Sequence, residues 1–259
     1  MTKSGGGKLS KSLLKDFLDE KYVLYNQTNF IENDPIGIPH RFVKKEDIEI
    51  AAFLAATISW GNRKSVIANA NKLMDWMEQE PHQFILNFSK TDTKPFKKFV
   101  HRTFNGEDCI YFLSALKNIY TKHGGLENVF VNTESTGLGI SNFRNIFFEI
   151  NHPHRTRKHV SDPAMGSASK RLNMFLRWMV RKDECGVDFG IWKQIKPSSL
   201  YLPLDVHTAN ISRKLKLLTR TQNDWRAVEE ITSQLRILDP DDPIKYDFAL
   251  FGLGAIEGF

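Results

Sequence analysis

The chain has 259 residues, 41% of them hydrophobic and 25% charged, and its 36 Lys/Arg against 30 Asp/Glu leave a net charge of +6. That length is enough for a buried core in one or two domains, and that composition excludes a disordered chain. No apolar run approaches the roughly 18 residues of a membrane span, and two cysteines, Cys109 and Cys185, exclude a four-cysteine zinc or iron–sulfur site within the chain.

The opening stretch, MTKSGGGKLSKSLLKD, has no long apolar core, so no secretory leader is expected. Its Ser/Gly-rich portion predicts a mobile tail over residues 1–12, ahead of a helical body over 13–259 in two lobes with a cleft between them. The absence of a leader and the low cysteine count together predict a cytoplasmic protein, and nothing in the pattern calls for more than a monomer.

Helical periods follow one another along the body, with no convincing strand alternation. EDIEIAAFLAATI places Ile48, Ala51, Ala55 and Ile58 on one stripe. Ser59 to Asn62, SWGN, interrupts it, and RKSVIANANKLMDWM resumes with Val66, Ala70, Leu73 and Met77 before Pro81. GEDCIYFLSALKNIYTKHGG has acids at its start and Lys122 and His123 at its end, as the helix dipole favours. ISNFRNIFFEI repeats Ile140, Phe143, Phe147 and Ile150. A turn-rich segment, NHPHRTRKHVSDPAMG, leads into the helix SASKRLNMFLRWMVRK. YLPLDVHTANISRKLKLL carries Ile211, Leu215 and Leu218 at helical spacing, and NDWRAVEEITSQLRIL follows. Asp242–Pro243 then reads as the cap and first residue of a last helix. The predicted fold is all-α.

Charge is unevenly distributed. From Ile140 to Lys182 there are nine Lys/Arg and two acids, a local excess larger than that of the whole chain. Such a segment is the footprint expected for a phosphate backbone, and equally for a solvated basic face. Within it, at about 100° per residue, Leu172, Phe175, Leu176 and Met179 fall opposite Lys170 as a core face. Met174, Arg177 and Arg181 fall within about 40° of Lys170. Read plainly, that is the wet side of a surface helix. Met174 does not suit a wet side, and if the face lines a cleft instead, an apolar neighbour near the helix start favours the free amine of Lys170, a nucleophile. Gly166, Ser167 and Ser169 before the helix leave either open backbone N–H groups for a phosphate or an ordinary Ser-capped entry turn. Asp205, after Pro203 and before a helix, is either a plain cap or a catalytic carboxylate held by capping geometry.

Three pieces in order, ISWGNRKSVIANANKL, MGSASKRLNMFLRWM and PLDVHTANISRKLKLL, resemble the helix-hairpin-helix superfamily of DNA glycosylases. The likeness is nearest to the archaeal-type 8-oxoguanine glycosylases and to a bacterial family of unknown function with the same lysine helix, and it covers roughly residues 40 to 259. The resemblance implies a two-lobed helix-hairpin-helix fold and a base-excision N-glycosylase, with AP-lyase activity, acting on a flipped damaged base, oxidised purines foremost. Lys170 would be the nucleophile, Asp205 its acidic partner and His207 a phosphate contact. Gly166, Ser167, Ser169, Arg171, Arg155, Arg157 and Lys158 would grip double-stranded DNA, with Trp60, Asn62 and Met174 at the base pocket or wedge. The cofactor expectation is none, and the location would be the nucleoid. The hairpin of two glycines ahead of the lysine is reduced here to Gly166.

Other candidates carry less. His152, His154 and His159 lie in a basic loop without acidic or cysteine neighbours, a poor metal set that suits phosphates better, so no metal is expected. Trp60 reads as a wedge or as a helix-end core residue. Asp239 to Pro243, DPDDP, suggests carboxylate ligands or plain capping. A non-catalytic DNA-binding protein on the same scaffold, or an RNA-binding protein, is the alternative function.

Overall fold

The computed structural model describes residues 10–132 and 134–259, and the chain over them is mostly helical. Its α-helices are α1 (Lys11–Tyr25), α2 (Asn29–Glu32), α3 (Lys45–Thr57), α4 (Arg63–Trp76), α5 (Pro81–Asn87), α6 (Gly106–Lys122), α7 (Leu126–Phe130), α8 (Thr136–Phe147), α9 (Lys170–Val180), α10 (Val206–Lys214), α11 (Trp225–Leu238) and α12 (Tyr246–Ala255). Two two-residue strands, β1 (Val100–His101) and β2 (Phe104–Asn105), form a small antiparallel hairpin. Among the described residues no helix is long and apolar enough to cross a membrane. The tail expected over 1–12 gives way at Lys11, where α1 begins with the Ser10 hydroxyl accepting from the Leu13 N–H. The rest of that tail lies outside the described residues.

The centre of the molecule is α3, buried from Asp47 to Thr57 on every side, as a helix with no polar face must be. It packs on α9, and Phe53 meets Phe112, Phe143, Phe147 and Phe175 at ring separations of 5.4 to 5.8 Å. Of its two buried acids, Asp47 accepts from the His82 N–H at 2.8 Å, and Glu49 accepts from the Tyr120 hydroxyl at 2.7 Å and the Trp192 indole N–H at 2.6 Å, so each buried carboxylate is satisfied from other elements. Around this centre, α12 packs against both α1 and α10. Gly252 allows the first contact: a Cβ there would lie 2.1 Å from the Tyr25 ring. α9 reaches the mouth of α10 through Lys170 and Asp205 and reaches α12 through Arg177 and Asp247, and the site lies where these elements meet.

Three helix expectations are revised. α8 begins at Thr136 rather than Ile140, through Gly137 and Gly139, two poor helix formers. They are there because Trp225 lies over Gly137 and the Phe130 carbonyl lies over Gly139, each too close for a side chain. α10 stops at Lys214, and Lys216 takes a left-handed φ of 60° that folds Leu217 and Leu218 back so that both N–H groups donate to the Ser212 carbonyl. Asp242 caps nothing: α12 is preceded by a 3-10 turn from Pro243 to Lys245, and the Asp242 carboxylate accepts from Arg181 instead. Asp239 in the same cluster accepts from the Asp241 and Asp242 N–H groups and pairs with Lys245 at 2.6 Å.

Candidate active site

α10 opens at Asp205, whose Oδ1 accepts from the Thr208 N–H at 2.8 Å. The other oxygen, Oδ2, faces Lys170 Nζ at 3.3 Å. One side chain thus caps a helix and presents its charge to an amine 35 positions earlier. Lys170 is the first residue of α9, and its side chain is about one-third exposed, at 36%, against 17% for Asp205.

The pair lies in a pocket of about 210 Å³. Its apolar wall comes from Phe30, Trp60, Val66, Met174, Phe248 and Phe251. Met174 therefore has the apolar surroundings that the wet-face reading could not supply. Arg177 and Arg181, the other members of that face, are buried, at 5% and 1% exposure. Arg177 donates from Nη1 to Asp247 Oδ2 at 2.5 Å and from Nε to Asp188 Oδ1 at 3.3 Å. Arg181 donates to Asp183, Asp188 and Asp242 and to the Tyr22 hydroxyl. The Lys170 face of α9 is a cleft wall at its start and a buried ion-pair network beyond.

Asp34 and Asp247 also line the pocket, and neither was singled out from sequence. Asp34 accepts from the Ile36 N–H at 3.1 Å. Burial raises both carboxyls. For Asp247, burial, opposed by Arg177 and reinforced by the Asp205 charge, pushes the group up to about 6. A signal for Asp247 exists in the sequence: it is the one charge in the otherwise apolar run YDFALFGLGA, and a lone acid in such a helix faces a partner or a site. Asp34, before Pro35, reads locally as a turn cap, and nothing around it in the sequence points further.

Trp60 is a wall of the pocket, held from three directions. The Arg171 guanidinium lies 4.7 Å from its ring, His159 stacks at 6.1 Å, and its carbonyl oxygen is 3.0 Å from His101 Nε2. His159 is buried and pulled down to about 4 by that burial, so it is neutral at pH 7 and its Nε2–H donates to Asp108 Oδ2 at 3.1 Å. It does not join His152 and His154 as a metal set, and no such cluster occurs among the described residues.

The DNA-gripping candidates separate. Arg157 and Lys158 are exposed, and the Arg157 guanidinium lies 5.6 Å from the Phe148 ring. His207 is exposed on α10, and Gly166, with φ 83°, stands open at the turn before α9. Ser167 bridges to Asp224. Ser169 is buried with a left-handed φ of 46° and makes no side-chain cap, which corrects the Ser-capped reading of this turn. Arg155 and Arg171 are committed within the fold. Arg155 donates to Asp108, Asn105 and the Thr103 carbonyl. Arg171 donates to the Thr57 and His159 carbonyls, and burial without a carboxylate pulls its guanidinium down to about 10. Asn62 is outside the pocket as a solvent-exposed cap of α4, accepting from the Ser65 N–H at 3.2 Å. Of the basic segment's arginines, five (Arg144, Arg155, Arg171, Arg177 and Arg181) turn inward: the fold uses their charge to hold its own carboxylates and carbonyls.

Asp247 and His159 predict opposite pH behaviour. Between about pH 4 and 6 native Asp247 keeps a proton that the unfolded chain has lost, so its contribution to stability falls as pH rises through that window. Between about 4 and 6.5 the unfolded His159 imidazole is protonated and the buried one is not, so its contribution rises with pH. Asp247→Asn removes only the first. Urea unfolding from pH 4 to 7 should show the variant gaining on the wild type as pH rises, with the gain complete above about pH 6. A constant difference across the window would contradict the assignment.

A lysine and a carboxylate closed into an aromatic-walled pocket define an all-α protein with a candidate active site. Residues 34–256 match the family described as "Protein of unknown function (DUF2400)". The chain belongs to that family, and the match includes every pocket residue except Phe30. No curated protein and no solved structure matches the chain.

Proposed function

We propose that this protein is a DNA N-glycosylase with AP-lyase activity that excises a flipped, damaged purine through a Schiff base on Lys170. The observation that carries the reading is Lys170 Nζ at 3.3 Å from Asp205 within a pocket of about 210 Å³ walled by aromatic rings. An amine that attacks a sugar carbon must first give up its proton, and Asp205 is the carboxylate placed to take it. The amine then forms its bond to the anomeric carbon as the glycosidic bond breaks, and the proton leaves with the base. Asp205, anchored by the Thr208 N–H, stays in place to offset the positive charge that develops on the sugar. The aromatic walls suit a base taken out of the stack, and Trp60, fixed by Arg171 and His159, offers a rigid face to it. Arg157, Lys158, His207 and the open turn at Gly166 are the groups available to double-stranded DNA. Oxidised purines are the favoured lesions, the protein acts as a monomer on nucleoid DNA, and the reaction as written uses no cofactor.

The test is borohydride reduction of the protein with duplexes carrying oxidised, alkylated or deaminated bases, or an abasic site. The proposal predicts a covalent protein–DNA adduct with the abasic duplex and with at least one lesion. If the wild type binds these duplexes and never traps, the reading fails in favour of a non-catalytic DNA-binding protein; tighter binding to RNA than to lesion DNA would favour an RNA-binding one.

A further inference from the structure

Trp178 lies in α9 eight residues after Lys170, is fully buried, and lines the same pocket. Its indole N–H meets no acceptor among the described residues. Trp192, equally buried, shows the ordinary outcome, with its N–H on Glu49 at 2.6 Å. A buried donor left unpaired is costly and uncommon in a folded chain, and one on the wall of a ligand pocket is explained when the ligand brings the acceptor. The pocket supplies the opposite polarity from its carboxylates. Asp247 uses Oδ2 for Arg177 and Asp34 uses Oδ1 for the Ile36 N–H, and the second oxygen of each has no donor among the described residues. The pocket thus holds the unpaired Trp178 N–H and two unpaired carboxylate oxygens, alongside the charged groups of Lys170 and Arg63.

We propose that Trp178 is a specificity-determining residue: its indole N–H donates to a ring carbonyl of the bound base, while ring N–H groups of that base donate to Asp34 and Asp247. The ligand class is an oxopurine. Adenine fits less well, because all its edge donors sit on one exocyclic nitrogen and cannot serve two separate carboxylates. This assignment rests on the base-excision reading of the pocket and adds the feature by which a base is chosen within it.

The experiment is equilibrium binding of two free bases, hypoxanthine and unsubstituted purine, to the wild-type protein and to Trp178→Phe, by titration calorimetry. The two bases differ by one carbonyl and its adjacent N–H. Wild type should bind hypoxanthine at least about tenfold more tightly than purine, the scale of one buried hydrogen bond. Trp178→Phe, which keeps the ring and removes the donor, should narrow that preference by at least about fivefold, because only the N–H contact to a carboxylate then separates the two bases. Equal affinities in the wild type, no binding of either base, or a preference that Trp178→Phe leaves unchanged would each overturn the proposal. If Trp178→Phe does not fold, the wild-type comparison decides alone. Borohydride trapping on an abasic duplex, which presents no base, separates the two ideas. Trapping without base preference removes the role of Trp178 and leaves the lysine chemistry standing; neither trapping nor preference removes both.

Discussion

Lys170→Gln should lower single-turnover excision by at least about 1,000-fold and abolish borohydride trapping, while thermal unfolding hardly moves. The size follows from the role: glutamine has no amine to form the bond to the sugar, and among the described residues no second amine lines the pocket. Stability is spared because the Lys170 side chain is about one-third exposed and its ion pair is open to water, so the pair contributes little to folding. Asp205 makes the complementary point. Asp205→Asn keeps an oxygen for the Thr208 N–H and loses the negative charge, so about 100-fold of activity should go with the cap intact. Asp205→Ala should add a loss of about 1 kcal/mol in stability from the missing cap. A variant pair in which activity and stability fall together would mean that Asp205 is a cap and nothing more.

The largest stability effect is expected at Arg181, far from any solvent. Burial disfavours its charge, and Asp188 and Asp242 more than reverse this, holding the guanidinium above its ordinary range. Arg181→Met leaves Asp183 and Asp242 without their cation and Asp188 with Arg177 alone, along with the Tyr22 hydroxyl that accepts from Nη2. Removing one partner of such a network costs about 3–5 kcal/mol, which urea unfolding at pH 7 would read as a marked drop in midpoint. Arg157→Met, on the exposed part of the same basic segment, should stay within about 0.5 kcal/mol of wild type. The network also bears on the site: Asp188 ties Arg181 to Arg177, and Arg177 holds Asp247 at the pocket. Similar losses from the two variants would show that the buried charges are not coupled as drawn.

What could be read in the sequence was local. The phase of α9 placed Phe175 in the core and grouped Lys170, Met174, Arg177 and Arg181; the first three line the pocket, and Arg181, just past the end of α9, joins Arg177 through Asp188. Helical phase says which residues share a face, not what covers it. The covering groups, Asp188 on a loop and Asp247 on α12, come from 11 and 70 positions away from Arg177. The basic segment misleads for the same reason. A count of charges along the chain is blind to acids arriving from elsewhere, and Asp108, on α6, takes up Arg155 and the neutral His159 together. Asp205 was legible because capping and charge presentation are both properties of its own helix mouth. Asp34 and Trp178 were not, since a turn cap and a core tryptophan look the same whether or not a pocket lies beside them. The start of α8 escaped because Gly137 and Gly139 oppose helix locally and are favoured only by contacts with Trp225 and Phe130.

The central claim is that one amine, Lys170, attacks DNA. Borohydride-reduced protein from a reaction with an abasic duplex, digested and sequenced by mass spectrometry, tests it without reliance on any variant. The account predicts the deoxyribose-derived mass on Lys170. The same mass on another lysine or on the amino terminus, or none on the wild-type protein, would contradict it.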